Sequence, residues 1–166
     1  FFFLFYDDNS FFNNQKSNNK KSVFELLTNN NIKLAILSAG VGYITMSTLM
    51  TATPISMNIM HGYSIFSTGI VIQLHVVGMF LPSLFTGNLI KIYGHKNIIY
   101  SGIIILLICI FINFSFETYY GFMTGLILLG IGWNFLFISG TSLLVISYDE
   151  ENKFLSQGLN DSVVFS

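Results

Sequence analysis

The chain has 166 residues, of which 52% are hydrophobic and only 9% charged, with a net charge of -1. A soluble domain carries about 25% charged residues, so this sequence lacks the polar atoms to cover a water-facing surface, and its near-neutral charge offers no field to hold nucleic acid. The single cysteine, Cys109, excludes an intrachain disulfide and a cysteine metal cluster, while a mean hydropathy of +0.66 points to lipid as the solvent.

In chain order, the apolar residues Phe1 to Tyr6 read as the end of a preceding transmembrane helix. They lack the charged leader and cleavage site of a signal peptide. The absent initiating Met and the apolar stretch Ser162 to Ser166 are expected of a piece of a longer polypeptide. Residues 7–33 are rich in Asn and Ser, carry Lys16, Lys20 and Lys21, and read as a cytoplasmic linker. Within it Ser22 and Glu25 have the spacing of a capping box, which predicts a short surface helix over Val23 to Thr28.

The transmembrane region is expected over 34–166. Four apolar runs, at about 34–55, 65–90, 98–116 and 119–146, are each close to or above the roughly 20 residues needed to cross the hydrocarbon core, and another begins near Phe154. The fold class expected is an all-α integral membrane protein with four complete spans and truncated ends. All seven basic residues are lysines: Lys16, Lys20, Lys21 and Lys33 precede the first span, Lys91 and Lys96 divide the second from the third, and Lys153 follows the fourth. The alternate loops hold none. The positive-inside rule makes the lysine side cytoplasmic, in a multi-pass protein of the cell membrane.

Gly121 and Gly125 form a G-x-x-x-G in the fourth span, where generic close packing and a dimerisation face are the two readings. Pro54 and Pro82 are expected to kink or end their helices and to free backbone carbonyls.

No acid or lysine lies well inside a span. His75 is the one titratable candidate, and it either couples transport to protons or bonds a neighbouring helix as structural glue. Gly78, Met79 and Pro82 share its face, and Gln73 points away by about 200°. Trp133 lies mid-span, away from the interfacial aromatic belt. Together with Asn134 it offers a stacking surface and a hydrogen-bonding arm to a substrate, or simply packs between helices. Asn160 and Asp161 fit capping or gating, His61 and His95 are expected in solvated loops, and Cys109 reads as a buried, inert thiol. No pattern asks for a cofactor or a metal, and no phosphate loop, zinc-binding His pair or nucleophile triad marks an enzyme.

The loop Gly87-Asn-Leu-Ile-Lys91-Ile-Tyr-Gly94-His-Lys96 resembles the cytoplasmic signature of the major facilitator superfamily. Gly87, Leu89, Gly94 and Lys96 match it, Lys91 stands where the signature has an acid, and Ile92 where it has a base. The segments Met50 to Pro54, Gln73 to Phe80 and Leu129 to Phe137 are similar to a bacterial branch of that superfamily, and the resemblance covers about Lys33 to Ser166. It implies a partial major-facilitator bundle with the missing half of the same polypeptide as partner; the signature occurs after helix two or after helix eight, and the apolar Phe1 to Tyr6 with the long lysine-bearing linker favour the second, which makes the spans helices seven to ten of the C-terminal half. It also implies a secondary transporter that moves a small solute by alternating access, possible proton coupling, a cavity holding His75, Gln73, Trp133 and Asn134, and a latch over Gly87 to Lys96. A nearly uncharged cavity favours a neutral, amphipathic or apolar solute. A non-transporting membrane subunit and a channel-like helical protein are the other readings, although no filter-like loop or ring of charge is present.

Overall fold

The computed structural model describes residues 22–165. The helix end expected at residues 1–6 and most of the linker expected at 7–33 lie outside the described residues. The first described helix is α1, Val23–Leu26. Ser22 precedes it in an extended conformation but makes no side-chain cap. The hydroxyl that does bond here is that of Thr28, donating to the Glu25 carbonyl at 2.6 Å.

Helix α2, Asn30–Ile55, starts one turn before the apolar run because Asn29 caps it, its side chain accepting from Asn31 N at 2.9 Å. Pro54 lies in its last turn, and the chain continues as a wider π-helical turn, Ser56–Met60. The second span comes in two pieces, α3, Ile65–Phe80, and α4, Ser83–Tyr93, with Leu81 and Pro82 between them. Then follow α5, His95–Ser115, α6, Tyr119–Ser147, a short 3-10 turn Glu150–Asn152, and α7, Lys153–Phe165. Among the described residues four helical stretches are long and apolar enough to cross a membrane: Asn30–Met60, Ile65–Tyr93, His95–Ser115 and Tyr119–Ser147.

The surface fits lipid contact. Phe114 is 89% exposed and Phe66 is 80% exposed, a burden in water that becomes neutral in hydrocarbon. Hydroxyls inside the spans turn back on their own helix: Thr51 donates to Ser47 O at 2.9 Å, Ser101 to Asn97 O at 2.9 Å and Ser147 to Leu143 O at 2.6 Å. This back-bonding keeps these hydroxyl hydrogens from facing lipid unpaired.

Helix α6 is the hub of the bundle, and glycines let each neighbour approach it. A Cβ on Gly130 would stand 2.6 Å from the His75 carbonyl of α3, and one on Gly78 of α3 would stand 2.8 Å from the Ile127 carbonyl of α6. Gly132 meets Leu106 and the Gly102 carbonyl of α5, while Gly140 meets Ala35 and Ser38 of α2. Gly121 and Gly125 face Phe116 and Asn113 of the same chain, so the G-x-x-x-G is spent on packing inside the bundle. Two apolar clusters result, both built on α6: Leu126, Leu129 and Leu136 with Val71 and Leu106, and Leu143 and Leu144 with Ile32, Ile36 and Ile99.

The helix ends that bear Lys33, Lys91, Lys96 and Lys153 gather at one end of the bundle. There Asn29 Nδ2 reaches Ser147 O at 3.5 Å and His95 Nε2 lies 3.1 Å from Ser142 Oγ. A single residue, Gly94, joins α4 to α5 at φ 82° and ψ 156°, a region essentially reserved for glycine.

Three substitutions separate these demands. Gly130→Val drives a side chain into the α3 backbone and is expected to cost about 1–3 kcal/mol. Gly94→Ala carries a similar cost of about 1–3 kcal/mol, from backbone strain alone. Gly87→Ala, where a Cβ meets nothing within 4 Å, leaves stability unchanged or raises it by up to about 1 kcal/mol. Unfolding midpoints of the detergent-solubilised full-length protein check all three, and a loss at position 87 equal to that at 130 contradicts the packing described.

Candidate functional site

The four cavity candidates do not share one pocket. His75 is buried in α3, 1% exposed, where Gly78 and Gly130 draw α3 and α6 together. Its Nδ1 lies 2.8 Å from the Leu126 carbonyl. A carbonyl only accepts, so Nδ1 carries the proton and Nε2 is the free ring nitrogen. That Nε2 is buried and has no hydrogen-bond partner among the described residues. Gln73 is exposed on the other side of α3, as its spacing from His75 predicts.

Trp133 sits on the flank of α6 that faces α2, with its ring edge 3.7 Å from where a Gly42 Cβ would stand. It stacks on Phe137 one turn along, centroids 4.8 Å apart and planes within 10°. Its indole Nε1 is buried without a partner among the described residues. The two rings stack flat along α6, and the indole donor is enclosed where an unmade bond is costly.

Asn134, the next residue, is 1% exposed and faces the break in the second span. Its Nδ2 donates to the Met79 carbonyl at 2.8 Å and to Ser83 Oγ at 2.6 Å, and its Oδ1 accepts from Thr86 Oγ1 at 2.7 Å. His75 and Asn134 therefore occupy the α3–α6 seam, Trp133 the α2–α6 seam, and Gln73 the outer face. Ser83 and Thr86 were not singled out from the sequence. Their signal is two hydroxyls one and four residues past a proline in an apolar run, where freed carbonyls and an incoming amide need partners.

The motif residues divide by role. Gly87, Leu89 and Lys91 lie on α4, Gly94 makes the α4–α5 turn, and Lys96 is in the first turn of α5, with both lysines exposed. At the opposite end of the bundle His61, expected in solvent, is drawn in: its side chain is 21% exposed, with Nδ1 3.1 Å from Ser56 O and Nε2 3.3 Å from Glu117 Oε2. Phe122 meets its ring edge-on at 5.4 Å. The reason is local, since the loops after α2 and α5 abut there and the aromatic residues exclude water from the imidazole. Asn160 is buried in α7 with its Oδ1 unpartnered among the described residues, and Asp161 beside it is exposed. Cys109 is buried and its Sγ lies 3.1 Å from Gly125 O, as an inert core thiol would. No group of three His, Cys, Asp or Glu that could hold a metal ion occurs among the described residues.

Comparison with known proteins places this bundle. The sequence pattern of the Major Facilitator Superfamily matches residues 1–165. The chain is similar to the riboflavin transporter RfnT of Brucella anthropi, 35% identical over 85% of this chain and 35% of the relative. It is also similar to two uncharacterized MFS-type transporters of Bacillus subtilis. YdeG is 39% identical over 73% of this chain and 28% of the relative, and YddS 33% identical over 71% and 27%. The chain thus spans about a third of the length of these relatives. No solved structure matches it. A bundle of four apolar spans centred on a glycine-rich helix, matched along nearly its whole length by one family pattern, makes this chain a member of the major facilitator superfamily.

Proposed function

We propose that the chain is part of a secondary active transporter that moves a small solute across the cell membrane by alternating access, as the C-terminal half of a two-halved bundle. Its lysine-bearing end faces the cytoplasm, in keeping with the positive-inside rule. The rest of the polypeptide supplies the facing half of the cavity. Two bundles rocking about a midplane site give alternating access without large internal rearrangement.

The observation that carries the substrate reading is the stacked Trp133–Phe137 pair with its unused indole donor. Such a surface suits a planar heteroaromatic solute that stacks through its rings and accepts one hydrogen bond. Similarity to a protein named as a riboflavin transporter supports the same class. The absence of a buried lysine or acid among the described residues favours a solute without strong net charge.

For energy coupling the candidate is His75. Its Nδ1–H holds Leu126 and its Nε2 is free, so the ring can take a second proton without giving up that bond. Variants separate gluing from coupling. His75→Asn places an amide N–H where Nδ1 meets the Leu126 carbonyl but cannot take up a proton in the working pH range.

The test is uptake by the full-length protein in proteoliposomes, with riboflavin as first probe and an imposed pH gradient. The expected result is gradient-driven accumulation in the wild type. In His75→Asn, solute counterflow persists and accumulation falls about tenfold or more, the equivalent of one lost coupling step. Accumulation that survives in this variant removes His75 from coupling. Trp133→Ala is expected to raise the KM for the probe by about tenfold, in line with a lost stacking contact.

A further inference from the structure

The break at Pro82 has a consequence for how the second span moves. Pro82 has no N–H, so the Gly78 carbonyl loses its helical partner. Past the break the ladder is slack: Leu84 N reaches back to Leu81 O at 3.3 Å and Phe85 N to Pro82 O at 2.9 Å, both three residues away. The Met79 carbonyl takes side-chain donors, Asn134 Nδ2 at 2.8 Å and Ser83 Oγ at 3.4 Å.

The two sides of the break are held very differently. Above it, Gly78 and Gly130 lock α3 to α6 backbone against backbone. Below it, Thr86 is the single buried residue of α4, and Leu84, Phe85 and Ile92 are exposed. Thr86 Oγ1 donates to Asn134 Oδ1 at 2.7 Å. One amide on the hub helix therefore holds α3 through Met79 with its donor, and α4 through Ser83 and Thr86. The segment it restrains carries Gly87, Lys91 and the Gly94 turn.

We propose that Asn134 is a positioning residue for transport: its hydrogen bonds to Met79, Ser83 and Thr86 staple the break at Pro82 and set how fast α4 swings against α3. This rests on the alternating-access reading for its effect on transport, while the staple itself is a property of the bundle. A solute-binding role for Asn134 makes a different prediction, because the amide would then hold substrate directly and its loss would weaken binding.

Asn134→Asp is nearly isosteric, keeps an acceptor for Thr86 and removes the N–H from Met79. In the full-length protein in proteoliposomes, with riboflavin as the transported probe, the expected result is a maximal rate changed about tenfold with KM held within about twofold. Amide exchange over residues 79–86 is expected to quicken in the same variant. Adding Pro82→Ala returns an N–H to the Gly78 carbonyl and lets the ladder close, so the double variant is expected to regain protection. A merely structural amide would not show that rescue.

A raised KM at unchanged maximal rate overturns the proposal in favour of substrate contact, and unchanged exchange overturns it outright. Where Asn134→Asp is not recovered from the membrane, Thr86→Val and Ser83→Ala, each removing one of the bonds to Asn134 together with a bond to the backbone near the break, carry the test: faster exchange with constant KM supports the staple, and wild-type exchange in both overturns it. If the wild type carries no solute, the transport reading fails separately, and exchange alone decides whether the staple exists.

Discussion

A carbonyl set free inside hydrocarbon has no water to turn to, and each unsatisfied group costs several kcal/mol. Near both prolines of this chain a side-chain amide donates to a backbone carbonyl at an irregular stretch of helix. At Pro54 the helix widens into the π turn Ser56–Met60, and Asn58 Nδ2 donates to the Pro54 carbonyl at 2.8 Å. At Pro82 a partner comes from another helix, Asn134 of α6. The first solution is local and stiffens one span. The second ties the state of α3 and α4 to the hub, which makes helix geometry and bundle packing a single variable.

That hub exists because apolar attraction between helices is weak in lipid. Tails of lipid are as apolar as Leu, so association depends on close van der Waals fit and on hydrogen bonds. Glycines at 125, 130, 132 and 140 give α6 four places where another part of the bundle meets its backbone. The same closeness brings Leu126 O within 2.8 Å of His75 and places Asn134 against Met79. Packing and the polar contacts are thus one arrangement, since a few tenths of an ångström at Gly130 would loosen both.

This bundle divides its polar residues into two kinds. Asn134, Thr86 and Ser83 complete one another's bonds. His75, Trp133, Ser139, Ser156 and Asn160 each keep one buried polar atom without a partner among the described residues. Unsatisfied buried groups in a native structure ask for an explanation.

Much of the architecture was legible in the residues. Runs of about 20 apolar residues specify spans because a bilayer has a thickness, seven lysines mark alternate loops, and Gly87, Leu89, Gly94 and Lys96 carry the family resemblance. Period and composition are properties of the chain itself, so the all-α class, the number of complete spans and the opposite facing of Gln73 and His75 could be read without coordinates. Sequence spacing within one helix says nothing of which neighbour that face meets. Only the tertiary structure decided that adjacent Trp133 and Asn134 serve different seams, that His61 is drawn in beside Glu117 and Phe122, and that Thr86 alone buries α4. Those facts depend on how close two backbones come, and that distance is set by glycines and carbonyls on helices dozens of residues apart.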